Sequence, residues 1–296
     1  LESFPPMGTK PSTQASVSST TPVAQPGPSA RPQPASAGFM PGTPQPTTYA
    51  VIIGIERYRE LPAPTGARAD AEQFANVARL TLGVRPENMK IALDDRATHG
   101  DIDKLLEWAK SSVPQGGRLL FFYSGHGGPD ASQGTPYLIP YDGDPAYLER
   151  TGIPLAHVME TLQQSRAKEA IAFVDSCFSG AGGRSVLPKG ARPLVKVKAT
   201  AAQGQVSLLS AASGAEISGP TADAKGGLFS QMLIEGLGRA RADANGDGQI
   251  SLRELTEYVR PRVQRLAAQQ NRTQNPALTV GAGAGDPVIA FGLATH

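Results

Sequence analysis

The chain has 296 residues, of which 40% are hydrophobic and 18% charged, with a formal net charge of +2. This near balance gives no sign of a nucleic-acid or membrane-surface partner. No apolar run approaches the roughly 20 residues that span a bilayer. A single cysteine, Cys177, excludes an internal disulfide, so any thiol chemistry must use this residue.

Residues 1–48 are rich in Pro, Ser, Thr, Gln and Ala. Such a composition buries too little apolar surface to offset the entropy of ordering, which predicts a disordered tether. A proline-rich ligand for a recognition domain is the alternative. The chain starts at Leu1 without a basic-then-apolar signal sequence. A proline-rich leader without an initiator Met favours an exported, periplasmic protein over a cytoplasmic one.

From Tyr49 onward, short apolar runs alternate with amphipathic stretches, which predicts one domain over residues 49–296. In chain order the pattern predicts a strand at Tyr49–Ile55, a helix at Ala67–Leu82, a strand at Met89–Leu93, a helix from Thr98 to Ser112, a strand at Gly117–Tyr123, a helix at Leu155–Ser165, strands at Ala170–Asp175 and Val206–Ala211, helices at Leu228–Ala240 and Ser251–Gln269, and a last strand at Pro287–Phe291. Buried strands separated by helices indicate an α/β fold with a mostly parallel central sheet and helices on both faces.

Two motifs follow neighbouring predicted strands. One runs from Tyr123 to Gly128 and contains His126, and the other runs from Asp175 to Gly180 and contains Cys177. In a parallel sheet such loops meet at the carboxyl ends of the strands. A thiol is mostly protonated near neutral pH, so a nearby imidazole must accept its proton before it attacks a carbonyl carbon. The backbone N–H groups of Gly127 and Cys177 are candidate donors to the oxygen that then becomes negative. No third, orienting residue is evident.

The Ser-Gly-His-Gly and Asp-Ser-Cys-x-Ser-Gly pair resembles the caspase, metacaspase and paracaspase superfamily, and the Gly- and Ala-rich sequence is similar to its bacterial members. His126 precedes Cys177 by about the 50 residues typical of caspases. The resemblance covers Tyr49 to Phe291. It implies a caspase-like fold and a cysteine endopeptidase that cleaves proteins or peptides through a thioester on Cys177, with His126 as general base and acid.

Within that superfamily, metacaspase-like members bind Arg or Lys before the scissile bond through acidic residues. Asp70, Ser124 and Asp175 stand at matching positions, so the resemblance implies a preference for basic residues. The alternative is that Asp175 caps a turn and Asp70 is a solvated helix carboxylate. Phe178 departs from the pattern, because metacaspases usually have His there, and this leaves the subfamily open.

The segment 181–205 follows the cysteine and has almost no apolar pattern, which predicts an exposed loop. In this superfamily the equivalent linker is often cut during maturation. Self-cleavage here is therefore a hypothesis for an enzyme that prefers basic residues. The loop contains five of them: Arg184, Lys189, Arg192, Lys196 and Lys198.

Residues 243–254 match the twelve-residue calcium loop of an EF-hand. The predicted ligands, at loop positions 1, 3, 5, 7, 9 and 12, are Asp243, Asn245, Asp247, Gln249, Ser251 and Glu254. Gly248 allows the sharp turn of such a loop. The alternative is a turn that keeps the sequence and binds calcium weakly. EF-hands usually pair, and no second loop is found. We expect a structural role for calcium, and no organic cofactor.

Two other functions fit the same residues. One is a catalytically silent caspase-like scaffold whose calcium loop adjusts partner contacts, and the other is a His/Cys amidase that acts on small molecules. A thiol unreactive towards electrophiles would favour the scaffold, whereas a reactive thiol without peptidase turnover would favour the amidase. The sequence does not determine the natural substrate or the oligomeric state.

Overall fold

A computed structural model describes residues 38–130, 132–178, 200–213 and 218–293 of the chain. The strands are β1 Thr48–Gly54, β2 Met89–Leu93, β3 Arg118–Ser124, β4 Gly127–Pro129, β5 Pro136–Leu138, β6 Ile153–Pro154, β7 Glu169–Asp175, β8 Val206–Ser210, β9 Ile250–Ser251, β10 Ala277–Val280 and β11 Val288–Ala290. The helices are α1 Ala67–Leu80, α2 His99–Ser112, α3 Leu148–Thr151, α4 Leu155–Gln164, α5 Leu228–Gly238 and α6 Leu252–Gln269.

Six strands form the central sheet, in the order β10-β8-β7-β3-β1-β2. The strands from β8 to β2 are all parallel, and β10 joins the β8 edge antiparallel. The mostly parallel sheet predicted from the sequence is therefore confirmed. Its two central strands, β3 and β7, are those that end at the His126 and Cys177 motifs.

Helices cover both faces of this sheet, as predicted. Alternate residues of a strand point to opposite faces, so Phe122 packs with α1, α5 and α6 while Phe121 packs with α2 and α4. On the first face the Phe122 ring stacks on Phe74 of α1 at 4.4 Å between centroids. Within the described ranges, no helix combines the length and apolarity needed to cross a bilayer.

The last predicted strand exists, but it does not belong to the central sheet. β11 pairs with β9, inside the predicted calcium loop, to form a separate two-stranded sheet. The central sheet is completed instead by β10, which the sequence pattern did not reveal. β10 is a short edge strand whose residues are half-buried or exposed, so it lacks the apolar run that marks the buried strands.

The domain includes residues before the predicted boundary at Tyr49. Residues from Gly38 onward lie in one compact unit with the sheet, and Phe39 and Met40 pack against its core. The N–H of Met40 donates to the carbonyl of Gly238 at 2.6 Å. The proline-rich composition does not reveal Phe39 and Met40, so the sequence analysis assigned residues 38–48 to the tether, whereas the structure describes them with the domain. The predicted disorder of residues 1–37 lies outside the described residues.

Candidate active site

The loops that follow β3 and β7 meet at the carboxyl end of the sheet. Ser124 and Asp175 are register partners at the ends of these strands, and the N–H of Gly125 donates to the carbonyl of Asp175 at 3.3 Å. A Cβ atom at Gly127 would overlap Ser176 Oγ and lie 3.0 Å from the Phe178 ring. The loops therefore touch on both sides of the two reactive residues, which requires glycine at position 127.

The His126 ring is oriented by a backbone carbonyl. Its Nε2 lies 2.6 Å from the carbonyl oxygen of Pro62, in the segment after β1. Because a carbonyl only accepts hydrogen bonds, Nε2 carries a proton, and in the neutral ring Nδ1 is the basic nitrogen. Pro62 supplies the orienting group that the sequence analysis did not assign. A backbone carbonyl has no signature in the sequence, so no pattern indicates it.

Two tyrosines fix the backbone of His126, which is 1% exposed. The N–H of His126 donates to the hydroxyl of Tyr58 at 2.7 Å, and the two rings lie 4.8 Å apart. The hydroxyl of Tyr123 donates to the carbonyl of His126 at 2.6 Å. Tyr58 is a functional-site residue that the sequence analysis missed, because it lies 68 positions away along the chain.

Cys177 stands two positions after the end of β7 and is fully buried. It is a free cysteine, in accord with its being the only one in the chain. Phe178, which stands where metacaspases usually have His, is 7% exposed and places its ring edge against Gly127. The departure from the metacaspase pattern thus has a packing role at the contact between the two loops.

The three residues predicted to bind substrate lie on the sheet face that carries α1 and α5, and all three are buried. The Ser124 hydroxyl donates to Asp70 Oδ2 at 2.9 Å. Asp175 Oδ1 accepts from the Ser218 hydroxyl at 2.7 Å. The structure therefore places them at one end of the sheet, with both carboxylates engaged in internal hydrogen bonds.

The N-terminus of α5 contacts both carboxylates. Gly227 donates its N–H to Asp70 Oδ2 at 3.0 Å. Ser230 donates its N–H at 3.1 Å and its hydroxyl at 2.7 Å to Asp175 Oδ2. Unpaired N–H groups at a helix N-terminus favour negative charge, so this arrangement stabilises two buried carboxylates. No sequence pattern indicates Gly227 and Ser230, because they come next to Asp70 and Asp175 only in the folded chain.

Of the three, Asp70 lines a cavity among those formed by described residues. This cavity has a volume of about 160 Å³, and its other lining residues are Gln73, Thr221, Asp223, Lys225, Gly226, Gln231 and Ile234. A larger cavity of about 670 Å³ lies beside α4, but its described lining contains a single titratable side chain, Glu160. The smaller cavity is lined by two carboxylates, Asp70 and Asp223, whereas the described lining of the larger one has a single carboxylate.

The predicted calcium loop forms a turn between α5 and α6. Asp243 Oδ1 accepts the N–H of Gly246 at 2.9 Å, and Asp247 Oδ1 accepts the N–H of Gln249 at 2.8 Å. The strand contact that a second EF-hand loop usually provides is made by β11, which pairs with Ile250 and Ser251. The loop is therefore supported from within the domain.

Glu254 lies at the start of α6 and takes part in its N-terminal cap. Its Oε2 accepts the N–H of Ser251 at 2.9 Å, while the Ser251 hydroxyl accepts the N–H of Glu254 at 3.2 Å. Among the described residues, no three acidic, His or Cys side chains converge on a common metal position. The oxygen donors of Asp243, Asn245 and Asp247 suit calcium, but the Glu254 carboxylate is engaged in the cap.

Comparison with known proteins places the chain in a family. A sequence profile described as the caspase domain matches residues 47–282. Two similar structures are protein GSU0716 from Geobacter sulfurreducens and Caspase-1 from Spodoptera frugiperda. The first has a TM-score of 0.59 and 17% identity, and the match covers 84% of this chain and 100% of that chain. The second has a TM-score of 0.53 and 16% identity, and the match covers 85% of this chain and 93% of that chain.

No curated protein matches the chain by sequence. The two structural likenesses support the fold described above. The caspase-domain profile extends over most of the chain, including both loops and the N-terminus of α5. The chain therefore belongs to the caspase family and is a caspase-like cysteine peptidase.

Proposed function

We propose that this peptidase uses Cys177 as its nucleophile and His126 as its general base and acid, and that it cleaves after Arg or Lys. One observation carries the proposal. The loops containing His126 and Cys177 contact each other through Gly127 and Ser176, while Pro62 fixes the proton on Nε2 of the imidazole. This arrangement suits transfer of the thiol proton to Nδ1.

The reaction then follows from these groups. The Cys177 thiol gives its proton to Nδ1 of His126, and the sulfur forms a bond to the carbonyl carbon of the substrate. The carbonyl oxygen becomes negative and accepts hydrogen bonds from the N–H groups of Gly127 and Cys177. When the C–N bond breaks, His126 returns the proton to the leaving amine. Water, deprotonated by His126, then hydrolyses the thioester and restores the thiol.

The test is hydrolysis of matched peptides that differ only in Arg, Lys or Asp before the scissile bond, with wild type and Cys177→Ala. We expect turnover of the basic peptides and none with the variant. Cleavage after Asp alone would keep the peptidase and refute the basic pocket. No turnover by folded protein would favour the silent scaffold. A Cys177 that reacts with small electrophiles but cleaves no peptide would favour the amidase.

The pocket for the basic side chain is the cavity at Asp70. Its small volume and buried carboxylate suit one extended basic side chain. Asp223, at the same cavity, pairs with Lys225 at 3.2 Å, and both side chains are largely exposed. We propose that a substrate Arg or Lys directs its charge to Asp70.

Asp70→Asn tests this pocket, because the amide oxygen still accepts from Ser124 and Gly227. We expect kcat/KM for the Arg peptide to fall on the order of 30-fold or more, since removing one partner of a buried charge pair costs about 2–5 kcal/mol. Asp103→Asn, on the exposed side of α2, is the matched control. Equal losses for an Arg peptide and an uncharged peptide would mean that Asp70 is structural.

Self-processing within 181–205 rests on the same preference. The five basic residues of that segment all lie in 179–199, outside the described residues. We expect the purified enzyme to cut this segment after Arg or Lys, and Cys177→Ala to stay intact under the same conditions. A single intact band after prolonged incubation of active enzyme would contradict the hypothesis.

We also propose that residues 243–254 bind calcium in a structural role. Asp243, Asn245, Asp247, Ser251, Glu254 and the carbonyl of Gln249 would hold the ion. The oxygen-rich donor set and the support from β11 favour this proposal. Because Glu254 also caps α6, binding would act on the start of that helix.

A further inference from the structure

Arg272 is a half-buried cation close to the catalytic loops. It lies between α6 and β10, and its guanidinium packs flat against the backbone of Gly219. A Cβ atom at position 219 would overlap the guanidinium carbon and nitrogen atoms. Glycine at this position is therefore required for the approach of Arg272.

The acceptors of Arg272 are all neutral. Its Nε and Nη2 donate to Gln270 Oε1 at 3.2 and 2.7 Å, Nη2 also donates to the Pro220 carbonyl at 3.0 Å, and Nη1 donates to Gln274 Oε1 at 3.1 Å. Within the described part of the chain, no carboxylate lies at ion-pair distance from it. Arg272 thus donates four hydrogen bonds. Too few of its five N–H groups remain free to bind a carboxylate through two hydrogen bonds.

A chain of contacts connects Arg272 to the strand end that precedes Cys177. Gln274 Oε1 also accepts the N–H of Gly219 at 3.3 Å, and the preceding residue, Ser218, donates to Asp175 at 2.7 Å. Asp175 stands two positions before Cys177. Burial lowers the pKa of Arg272, while the charges of Asp175 and Cys177 act in the opposite direction. Through Gln274, Gly219 and Ser218, Arg272 is therefore connected to the residue two positions before Cys177.

Charged and titratable groups come to this end of the sheet from several elements. Those described lie in the β3–β4 loop, β7, α1, the segment before α5 and the α6–β10 segment: His126, Asp175, Asp70, Asp223, Lys225 and Arg272. The negative charge of Asp175 opposes ionisation of Cys177. Lys225 is exposed and paired with Asp223, so Arg272 is the described cation, other than a protonated His126, that can offset Asp175.

We propose that Arg272 is a positioning residue of this peptidase, whose fixed charge offsets that of Asp175 and favours the thiolate form of Cys177. The inference rests on the proposed role of Cys177 as the nucleophile. Among the described residues the guanidinium is held by neutral acceptors, so no described carboxylate pairs with it and its charge acts on the nearest described negative groups. An arginine stays protonated throughout the pH range of catalysis, so the charge of Arg272 does not change with pH.

The test is the titration of Cys177 by the ultraviolet absorbance of its thiolate, with Cys177→Ala as background, since the chain has one cysteine. We expect Arg272→Gln to raise the midpoint by roughly 0.5–1 pH unit, as for loss of a nearby opposite charge. Arg272→Lys keeps the charge, so its midpoint should stay closer to wild type. The kcat/KM of Arg272→Gln should fall near neutral pH and recover as the pH rises.

Arg260→Gln is the matched control, because Arg260 also donates to a backbone carbonyl, that of Pro276, but lies on the exposed side of α6. If Arg272→Gln does not fold, Arg272→Met, which retains an unbranched chain of similar reach, replaces it. An unchanged midpoint in a folded, uncharged variant overturns the inference and leaves the proposed function intact. Peptidase activity that survives in Cys177→Ala overturns the proposed function itself.

Discussion

At the scale of residues, the site depends on how His126 is held. Its backbone is fixed by the hydroxyls of Tyr58 and Tyr123, and its ring by the carbonyl of Pro62. Together these groups orient the ring and leave Nδ1 as the nitrogen that would act as the base in the proposed mechanism. A general base must lie within hydrogen-bonding reach of the proton that it abstracts, so small displacements of the ring lower the rate.

Tyr58→Phe tests this support. The substitution leaves the buried N–H of His126 without its acceptor, which should cost about 1–3 kcal/mol in the free energy of unfolding. We expect kcat to fall with little change in KM, because the tyrosine positions the base and does not touch the substrate. Urea unfolding and steady-state kinetics measure the two effects. Tyr147→Phe, at an exposed tyrosine, is the control, and a wild-type kcat for Tyr58→Phe would contradict this role.

The sequence indicates the two residues that we propose to react, but it does not indicate the groups that orient them. His126 and Cys177 follow buried strands and stand in glycine-containing motifs, both of which are local properties. Pro62 lies 64 positions from His126, and Gly227 lies 157 positions from Asp70. These partners act mainly through backbone atoms, which any residue carries, so no sequence pattern identifies them.

At the scale of elements, the hairpin of β4 and β5 continues directly from the His126 motif. Its turn is built on Asp130, whose carboxylate accepts the N–H groups of Ser132, Gln133 and Thr135 at 2.6 to 2.9 Å. Burial raises the pKa of Asp130, but these donors outweigh it and hold the pKa well below the ordinary value. The turn is therefore stabilised by the ionised form of Asp130.

Asp130→Asn should make the protein less stable in a way that depends on pH. A lowered pKa contributes stability above the unfolded-state value of about 3.9, and this contribution is lost as the pH falls further. We expect a loss of about 1–3 kcal/mol at neutral pH. Urea unfolding measured from neutral to acidic pH should show the difference from wild type shrinking below about pH 4. Glu107→Gln, an exposed carboxylate, is the control, and a pH-independent loss would contradict the argument.

The loop between α5 and α6 contains both the N-terminal cap of α6 and the predicted calcium ligands. Glutamine can replace glutamate in a capping box but lacks the carboxylate that closes a calcium loop. We therefore expect calcium to raise the thermal unfolding midpoint of wild type and to have little effect on Glu254→Gln. Glu257→Gln, exposed on the same helix, should respond like wild type.

Two results would contradict the calcium proposal. An equal response of wild type and Glu254→Gln would remove Glu254 from the site. Loss of peptidase activity on chelation, with the fold retained, would refute a purely structural role. Ser251→Ala should cost about 1 kcal/mol without calcium present, because it removes the side-chain cap of α6.

At the scale of the whole molecule, residues 38–47 extend the domain beyond its predicted start. Phe39 contacts Gly238 at the end of α5, and the Thr81 hydroxyl donates to the carbonyl of Met40 at 2.9 Å. The segment thus joins the end of α5 to the end of α1. It covers apolar surface on the face of the sheet that carries Asp70.

Two truncations test this segment. A protein that starts at Gly38 should unfold at the same urea concentration as the full chain. One that starts at Thr48 should lose about 2–4 kcal/mol, since two largely apolar side chains leave the core at about 1.5–3 kcal/mol each when fully buried. Equal stability of the two truncated proteins would show that residues 38–47 contribute nothing.

The sequence by itself determined the parallel strands of the central sheet, its covering helices and the two residues that we propose to react. Buried parallel strands are nearly continuous apolar runs, and their ends place His126 and Cys177 at one edge. The tertiary structure alone decided the proton position on His126, the contact of α5 with two carboxylates and the place of Arg272 beside the cysteine loop. Those features arise from groups far apart in the chain that meet only when the helices pack on the sheet.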